Sequence, residues 1–462
     1  MQPHIIRRQA LNVRCAGGGN ADGVRLQRET EQLYRTQILP GLERLLDKYG
    51  PGDEIISIDK LAISLSDIKP DSINNALAQR ILDEVERQLK QTIQKTVTAN
   101  EGRLTAEEHF LQCWVHYLQH GYFPWWADIK DNNTWQERLK AFVEKASGRL
   151  LQALKQSLAN KNVVARLSVQ LDNGLFWPFF KQLTGWQDTL LRSLQADEQQ
   201  MADTLAGSIP QTRFRQKFHE LLLSVCHLAY TQHLLTGFFA GKIVGYLHDM
   251  APEGLYALKY TPLETEELKE AVKDHAGSID DMPGMPVSES MEETMLNNEE
   301  GIYINNAGMV LIAPYLPVFF SRLDLVKDQR VTDLQRAVGI LQYVVTGKED
   351  YAEFEMVLPK ILCGAAPETA VADGYRLTEE EKELADGMLT AVIGHWTVLK
   401  NTSVDGLRGT FLQREGKLTY TNDAWKLQVQ EQAFDMLLDQ LPWSFSMIRL
   451  PWMQYLLHVI WR

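Results

Sequence analysis

The apolar positions of this chain change period several times, and each change predicts a different element. Near the start, Leu11, Val13 and Cys15 flank Asn12 and Arg14 in the alternation of a strand. Leu26, Leu33, Tyr34, Ile38, Leu42, Leu45, Leu46 and Tyr49 then recur at helical spacing. Pro40 is expected to kink that helix, because its ring clashes with the preceding turn and offers no N–H. Ile56 and Ile58, with Leu61, Ile63 and Leu65, alternate again as one or two strands, and residues 71–97 return to helix. A small strand–helix–strand–helix module is therefore expected over residues 1–100.

Residues 101–260 read as a helical region. Thr105 and Glu108 form a T-x-x-E capping box, which satisfies two orphan N–H groups at a helix start. The helix they open runs to His120, and Gly121 is a natural stop. Further helices are expected over 135–160, 186–206, 211–236 and 241–249. After Gly301 the pattern is mixed. Helical spacing fits 331–346, 352–363 and 378–400, with a second capping box at Thr378 and Glu381. Leu418 and Tyr420, then Trp425, Leu427 and Val429, alternate around Asn422-Asp423, which is a hairpin signal. Trp443 to Trp461 offers further strands. The expected fold class is α+β and predominantly helical. It has a small α/β N-terminal unit, a helical middle and a mixed α+β C-terminal domain over 301–462.

Charge separates the last two regions. The formal net charge is −13. Between Glu264 and Glu300 stand Glu264, Glu266, Glu267, Glu270, Asp274, Asp280, Asp281, Glu289, Glu292, Glu293, Glu299 and Glu300, opposed only by Lys269 and Lys273. Twelve acids against two bases leave −10 in this stretch and −3 for the rest of the chain. With DDMPGMPVSES inside it and no apolar period, the segment 261–300 reads as a solvated, disordered acidic linker. It serves as a spacer or as a tether for a basic surface. An acidic chain argues against nucleic-acid binding, whose affinity comes from Lys and Arg on phosphates.

Composition otherwise fits a chain that buries a core: 45% hydrophobic and 23% charged. Its four cysteines are scattered without a C-x-x-C pair, which suits a reducing cytosol. MQPHIIRRQA lacks the apolar core of a signal peptide. Windows 221–241 and 301–321 carry no formal charge. His227, Gln232 and His233 in the first, and Asn305, Asn306, Pro314 and Pro317 in the second, mark them as buried soluble segments rather than stable membrane spans.

Catalytic motifs fail on their chemistry. TGFFAGKI (236–243) is a residue short of a phosphate loop and places Ile243 where a hydroxyl must hold magnesium. The glycines at 17–19 miss the dinucleotide pattern. His109, Cys113, His116 and His120 make one stripe, but its ends lie about 16 Å apart along a helix, too far for one ion. His219, Cys226 and His233 repeat as a heptad seam, and Glu379, Glu380 and Glu381 suit a helix first turn. No catalytic, cofactor-binding or metal-ligating residue is assigned, and no enzyme activity is expected.

More unusual are clusters that combine proline with aromatics: Phe123-Pro124-Trp125-Trp126, Phe176-Trp177-Pro178-Phe179-Phe180, Leu441-Pro442-Trp443 and Leu450-Pro451-Trp452. Proline fixes the backbone while aromatics supply large apolar contacts. Such clusters serve as packed corners or as docking surfaces. The candidate interaction residues are Phe123, Trp125, Trp126, Trp177, Trp443, Phe445 and Trp452.

At these clusters the chain resembles the tape-measure proteins of bacterial contractile injection systems, the phage-tail-like particles. The resemblance is carried by HIIRRQ (4–9), IDKLAISL (58–65), GYFPWWA (121–127), GIYINNAGMVLIAPYLPVFF (301–320), LQYVVTG (341–347) and LPKILCG (358–364). HWTVLKNTSVDGLRGTFLQREGKL (395–418) and LPWSFSMIRLPWM (441–453) carry it most specifically, whereas 128–300 holds little that is diagnostic. The resemblance implies a non-enzymatic role without cofactors, in setting inner-tube length during assembly on the baseplate. Inner-tube subunits and the baseplate hub and spike are the implied partners, with self-association as an alternative. It also implies a cytoplasmic location during assembly and a place in the particle afterwards. A ruler should be extended, yet Pro178, Pro210 and Pro252 interrupt the middle. Its longest proline-free run, 125–177, would reach only ~80 Å as a helix. An adaptor or assembly chaperone of the same particle is the alternative reading.

Overall fold

In a computed structural model of the protein, the structure describes residues 4–6, 9, 11, 20–49, 54–56, 58, 60–65, 73–99, 103–129, 132–145, 148–186, 188–207, 210–226 and 301–461. The fold is predominantly helical α+β, as the periodicity predicts. The chain divides into two compact units, Met1–Gln112 and Cys113–Arg462. Apart from Leu11, the strand expected over 11–15 lies outside the described residues. So do the helix expected over 241–249, the end of that over 211–236 and the acidic segment 261–300.

The first unit begins with α1 (Asn20–Leu33) and α2 (Leu39–Tyr49), joined by a π-helical turn, Tyr34–Ile38. Pro40 explains the turn. It has no N–H to give the carbonyl four residues back, so the spiral widens and Leu39 N–H reaches Tyr34 O instead. A short strand, β1 (Glu54–Ile56), precedes α3 (Asn75–Ala99), and β2 (Arg103–Thr105) pairs antiparallel with β1. The strand expected over 61–65 is not formed; Ile58, Ile63 and Leu65 instead pack singly against the helical core. That core is an α3 stripe, Leu77, Ala78, Ile81, Val85 and Leu89, set against Leu33, Ile38 and Leu45. Gly41 permits the close approach of α2 to α3, since a Cβ there would lie 2.3 Å from Leu82 Cδ1. The Thr105 capping box closes as expected: Glu108 N–H donates to Thr105 Oγ1 at 3.1 Å, and Thr105 N–H to Glu108 Oε2 at 3.0 Å. It opens α4 (Ala106–His120).

The second unit contains the α4 turns from Cys113 onward, followed by α5 (Asn132–Lys145), α6 (Gly148–Ser157), α7 (Lys161–Gln170), α8 (Asn173–Thr184), α9 (Asp188–Leu205) and α10 (Gln211–Cys226). The stretch expected as one helix over 135–160 is two, and α7 and α8 are additional. Asn160 and Asp172 cap these two helices through their side chains. Trp114 is fully buried, with the rings of Trp135, Phe142 and Phe179 edge-on around it.

The same unit holds residues 301–461. β3 (Ile302–Ile304), a 3-10 helix (Ala307–Tyr315), α11 (Leu316–Arg322) and a small hairpin, β4 (Val326–Lys327) with β5 (Arg330–Val331), come first. The uncharged window 301–321 is thus a strand and two short helices packed in a core. No helix among the described residues is long and apolar enough to cross a membrane. Next come α12 (Leu334–Thr346), a 3-10 turn (Glu353–Glu355), α13 (Val357–Leu362), α14 (Glu379–His395) and α15 (Val404–Leu407). β6 (Gly416–Thr421), β7 (Ala424–Val429), β8 (Met447–Ile448) and β9 (Leu456–Ile460) complete a five-stranded sheet in the order β3-β6-β7-β9-β8. Only the β7–β9 pair is parallel. Asn422 and Asp423, with φ of 52° and 56°, make the tight turn that their sequence predicts.

Candidate functional site

Three of the four aromatic–proline clusters lie at bends or turns of the second unit, and the fourth lies inside a helix. Phe123 packs among Tyr117, Trp135 and Phe354, with ring centroids 4.7, 4.9 and 4.9 Å away. Trp125 and Trp126, which follow it, are half-buried. The cluster at 176–180 lies inside α8, with Pro178 in the helix, and Phe176, Phe179 and Phe180 are fully buried. Trp177 is only 6% exposed, and its Nε1 donates to Glu198 Oε2 at 3.3 Å.

The C-terminal clusters are anchored by indole hydrogen bonds to backbone. Trp443 Nε1 donates to Leu311 O at 2.9 Å, and Trp452 Nε1 to Leu362 O at 2.7 Å. Both side chains remain half-buried, as does Phe445, which packs edge-on against Trp461. Trp452 stacks on Phe320 and borders an open groove of about 510 Å³, whose lining includes Arg330, Leu334, Gly364, Pro451 and Met453. Gly364 has φ of 77°, and a Cβ there would lie 2.4 Å from Trp452 O, so the LPWM backbone sits tight against the α13 end. Other apolar side chains stand well exposed: Tyr303, Val318, Phe434, Met436 and Met447. Phe434 and Met436 flank Asp435, which is held by Arg414 Nη1 and Nη2, at 2.9 and 2.8 Å, and by Trp461 Nε1 at 2.9 Å.

The histidine stripe does not converge on one point. His116 and His120 rings lie 4.5 Å apart, and His116 Nδ1 lies 3.1 Å from Tyr122 O. Burial, followed by the charges of His116 and Arg166, lowers the His120 pKa to about 4. His219 stacks on Phe176 at 3.5 Å with Nε2 3.0 Å from Glu198 Oε1, while His233 lies outside the described residues. Among the described residues, no group of three or more His, Cys, Asp or Glu side chains could hold a metal ion. Burial pushes the Cys113 thiol up to about 12 and the Cys363 thiol up as well, which makes poor nucleophiles of both.

A buried charge cluster centres on Glu353, a residue that no local motif singles out. Arg166, from α7, is 0% exposed. Its Nε donates to Glu353 Oε1 at 3.0 Å, its Nη1 to Leu118 O at 2.7 Å, and its Nη2 to Glu368 O. Lys360, also 0% exposed, donates to Glu353 Oε1 at 2.6 Å and to Pro367 O at 3.1 Å. Tyr117 OH donates to Glu353 Oε2 at 3.4 Å, and Val371 N–H to Glu353 Oε1 at 3.4 Å. Burial lowers the Lys360 pKa to about 8 although Glu353 opposes it, and burial raises Tyr117 and Glu368. Every strong donor around Glu353 is spent on a fixed partner, an arrangement suited to holding structure rather than turning over a substrate.

No curated protein and no solved structure matches the chain. A family model described as "Contractile injection system tape measure protein" matches residues 3–461.

Proposed function

Because the chain belongs to the contractile injection system tape measure protein family, we propose that it helps set the length of the particle's inner tube during assembly on the baseplate. The family is one of structural proteins, and its members are components of the injection particle. The match over residues 3–461 is the observation that carries the proposal. Inner-tube subunits and the baseplate hub and spike are the proposed partners, met in the cytoplasm while the particle is built. Half-buried aromatics anchored at rigid corners, namely Phe123, Trp125, Trp126, Trp443, Phe445 and Trp452, are the side chains proposed to meet them. Rigid aromatics lose little entropy on binding, which favours them at interfaces. Trp177 supports this role from inside the core.

A second reading, a non-ruler adaptor or chaperone for the same tube and baseplate components, is favoured by one observation. The longest uninterrupted α-helix among the described residues, α3, has 25 residues and spans only ~37 Å. One experiment separates the two. Segments of several tens of residues are inserted into or deleted from 264–300, and tube lengths are measured by electron microscopy. A ruler shifts tube length in proportion to the change. Particles that assemble with unaltered tubes would overturn the ruler and leave the adaptor.

A further inference from the structure

The Glu353 cluster joins stretches that are remote in sequence: Arg166 and Glu353 are 187 positions apart. Within residues 301–461, Glu353 and Glu368 bring two carboxyl groups against one buried ammonium, Lys360. Glu368 Oε2 is buried without a hydrogen-bond partner. The second cation that balances the cluster comes from the helical segment, as Arg166. Its planar guanidinium is read at all three nitrogens at once: Nε by the Glu353 carboxylate, Nη1 by Leu118 O and Nη2 by Glu368 O. A lysine has one point of charge and could not fill these positions together.

The surrounding surfaces fit the same joint. Gly121, at the end of α4, has φ of 80°, and a Cβ there would lie 2.6 Å from Pro367 O and 2.7 Å from Arg166 Nη2. Phe354, next to Glu353, packs its ring 4.9 Å from Phe123 and 6.1 Å from Tyr117. Tyr122 belongs to the hydrophobic core of residues 302–461.

We propose that Glu353, Lys360 and the 367–368 backbone form a socket for the Arg166 guanidinium. This socket holds residues 113–226 onto residues 301–461 of the same chain without need of the backbone between them. The segment 113–226 is thus a bound partner of the C-terminal part, and continuity through 227–300 is dispensable for the joint. The chemistry recognised is a buried, forked cation flanked by aromatic rings.

The test uses the full chain with a site-specific protease sequence inserted between Ser288 and Glu289. After complete cleavage, size-exclusion chromatography at neutral pH reads whether the fragments remain together. The wild-type fragments are expected to co-elute as one complex of one copy each. In Arg166→Met the apparent Kd is expected to weaken roughly 100-fold or more, the effect of leaving a buried carboxylate with one of its two cations. Arg166→Lys should restore only part of the loss. If uncut Arg166→Met fails to fold by circular dichroism, Glu353→Gln, which keeps the shape and removes the charge, carries the same comparison. Wild-type fragments that separate at micromolar concentration would overturn the proposal. Variant fragments that bind as tightly as wild type, or a cut complex containing two copies of each fragment, would do so as well.

Discussion

His120 gives the clearest pH dependence at the scale of single residues. Its folded pKa, about 4, lies below the ordinary 6.5 because burial and the neighbouring His116 and Arg166 charges disfavour the imidazolium. The unfolded chain therefore takes up the proton first as pH falls. The stability linked to this group is fully present above pH 6.5 and is lost progressively down to about pH 4, a total of roughly 3 kcal/mol. His120→Gln should flatten the fall in stability over that window, as read by urea denaturation at a series of pH values. An unchanged slope would assign the acid sensitivity elsewhere. The histidine stripe was visible in the sequence, but its use was not. Spacing alone excluded a single ion for all four residues, whereas the proximity of Arg166 is set by folding.

At the scale of elements, local chemistry was largely legible. Thr378 caps α14 by accepting from Glu381 N–H at 3.2 Å, while Glu381 Oε2 accepts from Thr378 N–H at 2.8 Å. Glu381 is itself buried and accepts from Arg336 Nε at 2.5 Å, so the cap ties α14 to α12. Thr378→Ala should cost about 1 kcal/mol in chemical denaturation without changing the denaturant slope. The Asn422-Asp423 hairpin and the Gly121 stop were equally readable, because a few adjacent residues decide them. Elements that depend on distant partners were not. Ile63 and Leu65 alternate like a strand, but among the described residues no neighbour supplies a ladder, and they pack as single side chains. The helical spacing over 352–363 resolves into a 3-10 turn and α13, because Glu353 turns inward to meet two cations. In α8 a proline inside an aromatic cluster suggested a corner. Burial of Phe176, Phe179 and Phe180 outweighs the lost hydrogen bond and keeps the helix.

For the whole molecule, the described residues of the second unit couple its helical and sheet-bearing parts through the Glu353 charge cluster and the ring contacts of Phe354 with Tyr117 and Phe123. Native-state hydrogen exchange should give the slowest amides of α7 and α12 the same opening free energy, because both open only with the whole unit. Exchange of α7 at a distinctly lower free energy would mean that the helical part opens first.

By itself the sequence determined α12 and α14, the capping boxes, the β6–β7 hairpin and the concentration of negative charge in 264–300. It also carried the family, through motifs near both ends and at 121–127. These features are written in neighbouring residues, whose spacing fixes which groups face together. Tertiary structure alone decided that Arg166, Lys360 and Tyr117 share one carboxylate, and that Trp177 is enclosed while Trp452 borders a groove. A charge or a ring reads alike in sequence whether buried or exposed. Only the packed fold sets its dielectric surroundings and its partner.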